Sequence, residues 1–364
     1  MKQLRQTWKA ALQMGLCLLL LTWIFHTIFR GEGQQAWGIQ WDQLSRMEQW
    51  HQAWTIGPSQ LWHALRMAHP AAICLSLVLT WLMVILGVIR WRMVLKIQGI
   101  HLPLSRATAI SFISQFFSSF MLGSTGGDLI KAYYAARETH HKKTEAVVTV
   151  FVDRLVGLWT MLFFAGLMML PNLKLLPGHI GFSAIVALIL GMLFSSTAVL
   201  YLAFWGGVSR RFPRARVWLR RLPKGELLER SLDSCREFGK HKAFLFKSIL
   251  ISLVINTLVV FQVIILAKGM GLDISTMALF LIVPVVICIS ALPITPGGLG
   301  VRENLFVLML GGIGVVKTSA LSLSLLSYAS ALFWNLVGGI VYLGLKDKEH
   351  LQEVTRENSD ESVG

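Results

Sequence analysis

Apolar residues persist along this chain in stretches far longer than one face of a soluble helix requires. Uncharged runs occur at Ala10 to Phe29, Ala71 to Ile89, Ala107 to Gly127, Leu155 to Leu173, Ile180 to Gly207, Ser248 to Ala267, Ile274 to Val301 and Thr318 to Leu345. A helix needs roughly 20 apolar residues to cross the hydrocarbon, and at least six of these runs meet that requirement. The pattern predicts an all-α, polytopic integral membrane protein. The first run is expected to be retained as a helix, because its apolar stretch is long for a signal peptide and no small-x-small site follows before Phe29 and Arg30.

Composition agrees: 54% of the 364 residues are hydrophobic and only 15% charged, against about 25% charged in soluble globular chains. The net charge of +15 could suggest nucleic acid, but its distribution argues otherwise. Lys2, Arg5 and Lys9 precede the first run; Arg90, Arg92, Lys96 and Arg106 follow the second; and Trp205 to Lys242 holds eleven Lys or Arg against four acids. Basic residues at the ends of apolar runs are the positive-inside pattern, whose natural partner is an anionic lipid surface and not nucleic acid. Cys17, Cys74, Cys235 and Cys288 are isolated from one another and show neither disulfide pairing nor metal-ligand spacing. His140 and His141 have no spaced partner for a metal, and no cofactor is expected.

These charges thread the chain. With the N-terminus in the cytoplasm, residues 30–70 become an external segment carrying Trp37, Trp41, Trp50, Trp54 and Trp62, either interfacial or the packed face of an amphipathic helix. The second helix returns inward and places Arg90 to Arg106 in the cytoplasm. The basic stretch Arg137 to Lys143 also belongs there, which predicts that residues 107–136 enter and leave on one side, broken near Gly123 and Gly126-Gly127. Helices over about Glu145 to Met169, Phe182 to Trp205 and Ala243 to Ala267 follow, with a basic cytoplasmic loop at 205–242. The last helix, Ala320 to Leu343, ends inside ahead of Lys346 and Lys348, and an acidic cytoplasmic tail occupies 346–364. Residues 274–318 must then begin and end outside, with their break at "LPITPGGLG". The expected architecture of the membrane domain, 1–345, is six full spans plus two opposed re-entrant hairpins. Should either hairpin cross fully and return as two helices, the count rises toward eight. Opposed breaks resemble the inverted-topology repeats of secondary transporters, although no residue-level repeat is visible.

Charges inside such runs are costly unless paired or facing water. Glu303 follows the second break; the adjacent Arg302 could be its partner, but neighbours on a helix project roughly 100° apart, so one of them is expected to face something else. Asp128 and Lys131, three residues apart after Gly126-Gly127, can share a helix face and pair. Asp153-Arg154 lies inside a helix with apolar sequence on both sides, as a structural clamp or part of a transport site, and Arg154 has the fork geometry that suits phosphate or carboxylate. Ser111, Ser114, Gln115, Ser118 and Ser119 give the first hairpin a polar lining, while Asn256, Gln262 and Asn335 are expected to bridge helices.

The stretch "GSTGGDLIKAYYAARETHHKKTEAVVTVFVDRLVGL", residues 123–158, together with "LPITPGGLGVREN", resembles the flippase-like family, also called the lysylphosphatidylglycerol synthase transmembrane region family, in standalone form. The matching positions are Asp128, Asp153-Arg154 and Thr295 to Glu303, the last including Gly297, Gly298, Gly300 and Arg302. Lys131 stands where arginine is usual in the family, which keeps the charge and loses the bidentate geometry. The resemblance implies lipid handling without an enzyme: movement of an anionic or isoprenoid-phosphate lipid across a bacterial cytoplasmic (inner) membrane, both termini cytoplasmic. No hydrophilic segment is long enough for an aminoacyltransferase and no GxxxxGK[ST] loop occurs. Two other classes remain open: a membrane-embedded transferase using an acidic residue as base, and an accessory subunit that recruits a soluble lipid-modifying enzyme through the basic loop.

Overall fold

The computed structural model describes residues 26, 29–31, 33, 34, 36–120, 125–139, 142–170, 180–204, 234–292, 298 and 300–361. A short 3-10 turn, Gly38–Gln43, leads into α1, Arg46–Met67. Helix α1 opens on a capping box: the Glu48 amide donates to Ser45 Oγ, and the Ser45 amide donates to Glu48 Oε2 at 2.8 Å. Helix α2, Pro70–Ile97, starts with proline in its first turn, where the missing N–H is harmless, and His69 Nδ1 accepts from the Ala71 amide.

Helix α2 ends where Gly99 turns to φ 66°, letting the Ile100 amide donate back to the Leu95 carbonyl at 3.0 Å. Helix α7, Lys242–Gly269, ends in the same way, with Gly271 at φ 71° and the Leu272 amide on the Ala267 carbonyl at 2.9 Å. Glycine reaches that left-handed conformation without a Cβ clash, so it stops both helices cleanly. Both helices are 28 residues long, and they pack against each other at the centre of the bundle.

The remaining helices are α3, Leu104–Phe120; α4, Thr125–Arg137; α5, Lys143–Met169; α6, Ile180–Phe204; α8, Thr276–Ser290; α9, Val301–Gly311; and α10, Lys317–Glu361. Among the described residues five helices are long and apolar enough to cross a membrane: α2, α5, α7, and the apolar parts of α6 (Ala184–Phe204) and α10 (Ser319–Gly344). The protein is thus an all-α polytopic membrane protein. These five correspond to the second through sixth spans expected from the sequence; nearly all of the first run, and the loop 205–233, lie outside the described residues. Helices α3, α4, α8 and α9 have 17, 13, 15 and 11 residues, each below the roughly 20 that a crossing needs.

Two pairs of short helices sit on opposite flanks of the α2/α7 core. The pair α3/α4 packs on α2, α5 and α10, and the pair α8/α9 on α7, α5 and α10, while α6 lies along α5. Close approach in the first pair depends on Gly127: a Cβ there would lie 2.2 Å from the Ser114 carbonyl oxygen and 1.8 Å from Ser118 Oγ, whereas the glycine lets Ser114 Oγ donate to the Gly127 carbonyl at 2.9 Å. The largest apolar cluster joins α8 and α9 to the later turns of α5 and α7 and the first turns of α10. A smaller one joins the last turns of α2 to α3, α4 and the first turns of α5.

One expectation is corrected here. Arg90 does not follow the second span into a loop; α2 continues through it for two more turns, because Trp91, Val94 and Leu95 keep a buried face and are each no more than 1% exposed.

Candidate functional site

Between the two short pairs lies a cavity of about 550 Å³, lined by α2, α3, α4, α5, α7, α8, α9 and α10. Four cations among the described residues face it: Arg90, Lys131, Arg154 and Arg302. Asp128 and Asp153 also line it, and Glu303 is bound to Arg302 beside it.

Asp153 is the centre of the cluster. Its Oδ1 accepts from Arg90 Nε at 2.8 Å, and its Oδ2 lies 3.6 Å from Lys131 Nζ. Arg90 spans three helices, since its Nη1 also donates to Ser252 Oγ on α7 at 2.7 Å. It passes over α5 at Gly157, where even a Cβ would lie 3.0 Å from both Nη atoms. Lys131 Nζ sits 4.3 Å from the centre of the Trp91 ring, whose electron-rich face attracts the ammonium where water is scarce.

Asp128 and Lys131 do not pair with each other in the way their spacing suggested. Asp128 Oδ2 lies 3.4 Å from Arg154 Nε, and Lys131 goes to Asp153, so two ion pairs cross between α4 and α5. Consecutive residues of α5, Asp153 and Arg154, point apart and each meets a charge of α4. This brings together the Gly-Asp and Asp-Arg motifs that lie far apart in the sequence.

On the other flank, Gly300 at φ 82° caps α9, and its amide donates to Glu303 Oε2 at 2.6 Å. Folding back onto the cap brings Glu303 Oε1 to the Arg302 guanidinium, with Nε at 3.1 Å and Nη2 also bonded. The neighbours therefore do meet, which their helical spacing argued against: Glu303 turns toward the helix start, and the long Arg302 side chain reaches it. Arg302 also lies 4.2 Å above the Tyr328 ring of α10. Gly298, at φ 71°, packs where a Cβ would be 2.7 Å from the Ser290 carbonyl. Thr295 and Gly297 lie outside the described residues.

The polar row of α3, Ser111, Ser114, Gln115, Ser118 and Ser119, faces the same cavity. Ser111 Oγ and Ser290 Oγ are buried and have no hydrogen-bond partner among the described residues, an uncommon state for buried polar atoms. Sequence reasoning missed Arg90, Ser252, Trp91, Gly157 and Tyr328. The usable signal for Arg90 was the apolar pattern continuing past it through Trp91, Met93, Val94 and Leu95, which places it inside a helix. Asn335 and Gln262 bridge helices: Asn335 Nδ2 donates to Ser119 Oγ at 2.6 Å, and Gln262 Nε2 to Ser76 Oγ and Thr80 Oγ1, each at 3.0 Å. Asn256 instead returns to the Ser252 carbonyl of its own helix.

Comparison with known families settles what kind of domain surrounds this cavity. The model for the lysylphosphatidylglycerol synthase TM region matches residues 49–339, which includes every described charge of the site. The chain belongs to that family. The matched region is a membrane domain by its description, in agreement with the five apolar helices. Two similar proteins are archaeal. The UPF0104 membrane protein of Methanothermobacter thermautotrophicus is 22% identical over 323 residues, covering 82% of this chain and 93% of the relative. A UPF0104 membrane protein of Pyrococcus horikoshii is 24% identical over 317 residues, 80% of this chain and 92% of that protein.

Proposed function

We propose that this protein carries the anionic, phosphate-bearing headgroup of a lipid across the membrane through the central cavity, while the acyl chains stay in the bilayer. Family membership supports a lipid-related transmembrane role. The observation that carries the reading is the interlocked cluster around Asp153, in which cations of α2 and α4 are held by one carboxylate of α5 within an otherwise apolar bundle.

An unpaired charge in that environment costs several kcal/mol, so the carboxylates hold the cations while the site is empty. Among the described residues four cations, Arg90, Lys131, Arg154 and Arg302, gather here with three carboxylates, Asp128, Asp153 and Glu303, so the charges in view sum to a positive site. A positive site attracts an arriving phosphate, and the guanidinium forks of Arg90, Arg154 and Arg302 can bind it in two-point fashion. Ser111 and Ser290 offer hydroxyl donors that have no other partner among the described residues. A volume of about 550 Å³ suits a compact headgroup, small-ligand sites running from about 300 to 1,000 Å³. The chains have no reason to follow, since each methylene withdrawn from hydrocarbon costs about 0.8 kcal/mol.

The transport reading includes the topology. Pairs α3/α4 and α8/α9 act as re-entrant hairpins entering from opposite faces, with six full spans in all and both termini in the cytoplasm of a bacterial cell. At Gly298, non-helical backbone is tolerable because it borders the polar cavity. In this reading α2–α5 and α7–α10 are inverted copies. A constant shift in numbering carries His69 onto His241, Ser76 onto Ser248, Thr80 onto Ser252, Gly99 onto Gly271 and Leu104 onto Thr276, the first residues of α3 and α8. Hydrogen bonds follow the same exchange: Arg90 to Ser252 becomes Gln262 to Thr80, and both hydroxyls donate to the carbonyl four residues back. So does the packing, in which α3 on α10 becomes α8 on α5 and α4 on α5 becomes α9 on α10.

The test is reconstitution of the protein alone in vesicles containing phosphatidylglycerol labelled on a chain with a quenchable fluorophore. The expected result is faster loss of inner-leaflet protection than in protein-free vesicles, abolished by Asp153→Asn. No acceleration with anionic glycerophospholipids or isoprenoid phosphates would overturn the reading.

A further inference from the structure

The cavity is lopsided about the exchange that relates the two halves. Near its middle the lining residues come in related pairs, such as Met83 with Ile255, Val84 with Asn256 and Ser118 with Ser290. The continuation past that point exists on one side only, lined by Val88, Arg90, Ser111, Ser114, Lys131 and Asp153. Their counterparts are Val260, Gln262, Val283, Val286, Phe306 and Ser327; the α4-to-α9 match follows the shared exposed face, Leu129 with Asn304 and Tyr133 with Leu308. Val260, Val283 and Val286 are fully buried and Phe306 is 2% exposed. The related volume is therefore filled, with two hydroxyls replaced by valine and the lysine by phenylalanine.

What polarity remains on the filled side is neutral. Gln262 reaches Ser76 and Thr80 on α2, and Ser76 shares a 2.8 Å hydrogen bond with Ser330 on α10. All four side chains are buried.

Resting on the transport reading, we propose that this filled region is a second, closed chamber of the same pathway, a neutral transit site for the phosphate-bearing headgroup. A carrier built from inverted halves reaches its second state when each half adopts the arrangement of the other. In that state the Val260, Val283, Val286 and Phe306 plug separates. Gln262 and the hydroxyls of Ser76, Thr80 and Ser330 are freed to donate hydrogen bonds to the headgroup. With no fixed cation among these residues, the second chamber binds the anion more weakly than the first.

The experiment places Ser111→Cys or Val283→Cys, related positions in the two halves, in protein whose four native cysteines are changed to alanine, reconstituted in vesicles with and without phosphatidylglycerol. A membrane-impermeant maleimide is applied from each face, and lipid flipping is read on the same vesicles. The expected result is reaction of Ser111→Cys from one face and of Val283→Cys from the opposite face. The second reaction should be about 10- to 1,000-fold slower, as for a state populated at about 0.1–10%, and faster when Phe306→Ala removes the largest part of the plug. Val286→Cys provides a second reporter with the same expectation. Reaction of Val283→Cys from the same face as Ser111→Cys overturns the proposal. So does flipping that proceeds while Val283→Cys and Val286→Cys stay unreactive even with Phe306→Ala, an outcome that leaves lipid transport standing. Reaction from opposite faces without flipping of any lipid leaves the chamber standing and overturns lipid transport.

Discussion

Arg90 Nε donates to Asp153 Oδ1 at 2.8 Å, joining α2 to α5 at the wall of the cavity. Because Lys131 leans on the same carboxylate, Asp153 is the shared counter-charge of two cations carried by different helices. Removing the carboxylate leaves both without their main counter-charge.

Asp153→Asn is accordingly expected to destabilise the protein by about 3–5 kcal/mol, the usual cost of stranding a buried charge. Arg90→Gln combined with Asp153→Asn should recover part of that loss, because fewer charges are left stranded. Denaturation of the four variants in one detergent, arranged as a double-mutant cycle, measures the coupling. Additive losses would mean that the pair is not a unit.

Glycine contacts give a prediction about packing that is independent of transport. A Cβ on Gly338 of α10 would lie 2.1 Å from the Phe112 carbonyl oxygen and 2.7 Å from its carbon, both backbone atoms that cannot rotate away. Gly338→Ala should cost about 1–3 kcal/mol by overpacking. Gly311→Ala, at a position with nothing within 4 Å, is the control and should leave the melting temperature close to that of the parent.

Glu303 has two tasks that different substitutions separate. Its Oε2 caps the start of α9 at the Gly300 amide, and its Oε1 holds Arg302. Glu303→Gln keeps an acceptor for the amide and loses the charge, whereas Glu303→Ala loses both. The alanine variant should be less stable than the glutamine variant by about 0.5–2 kcal/mol, the typical value of a helix N-cap. Amide exchange over 300–304 should rise in the alanine variant and stay near the parent rate in the glutamine variant.

Those residues were legible in the sequence for one physical reason: a carboxylate or guanidinium inside an apolar run is expensive and so conspicuous. Asp128, Asp153, Arg154 and Glu303 stood out in this way, as did the glycine breaks. Their partners did not, because pairing is set by tertiary packing and local spacing misleads. Asp128 and Lys131 are placed to bond one another and instead reach α5 separately. Arg90 was hidden by Arg92 and Lys96, which made it look like part of a basic loop. The proposed relation between the halves is hard to see in the sequence for a different reason. Burial matches between them more often than residue identity does: Ile113 and Val285 occupy related positions and are both fully buried, and Leu95 and Ala267 are each 1% exposed. Apolar side chains exchange freely under such a constraint.

That relation permits a substitution that removes charge while keeping a contact. At the position related to Arg90, Gln262 reaches from α7 to the hydroxyl of Thr80 on α2 at 3.0 Å, so an amide at this point is long enough to cross between the two helices. Arg90→Gln should therefore keep a hydrogen bond to Ser252, retain Lys131 as the partner of Asp153, and fold with a melting temperature near that of the parent. What it loses is a cationic fork in the cavity. Charge-assisted hydrogen bonds contribute about 1.5–3 kcal/mol, so flipping of an anionic lipid should fall about ten- to a hundredfold. Arg90→Lys, with charge but no fork, should fall between the two. Parental flipping by a stable Arg90→Gln protein would show that Arg90 only braces α2 against α5 and α7. Loss of flipping together with loss of stability would point the same way, and the separation of the two is what marks Arg90 as a residue that meets the headgroup.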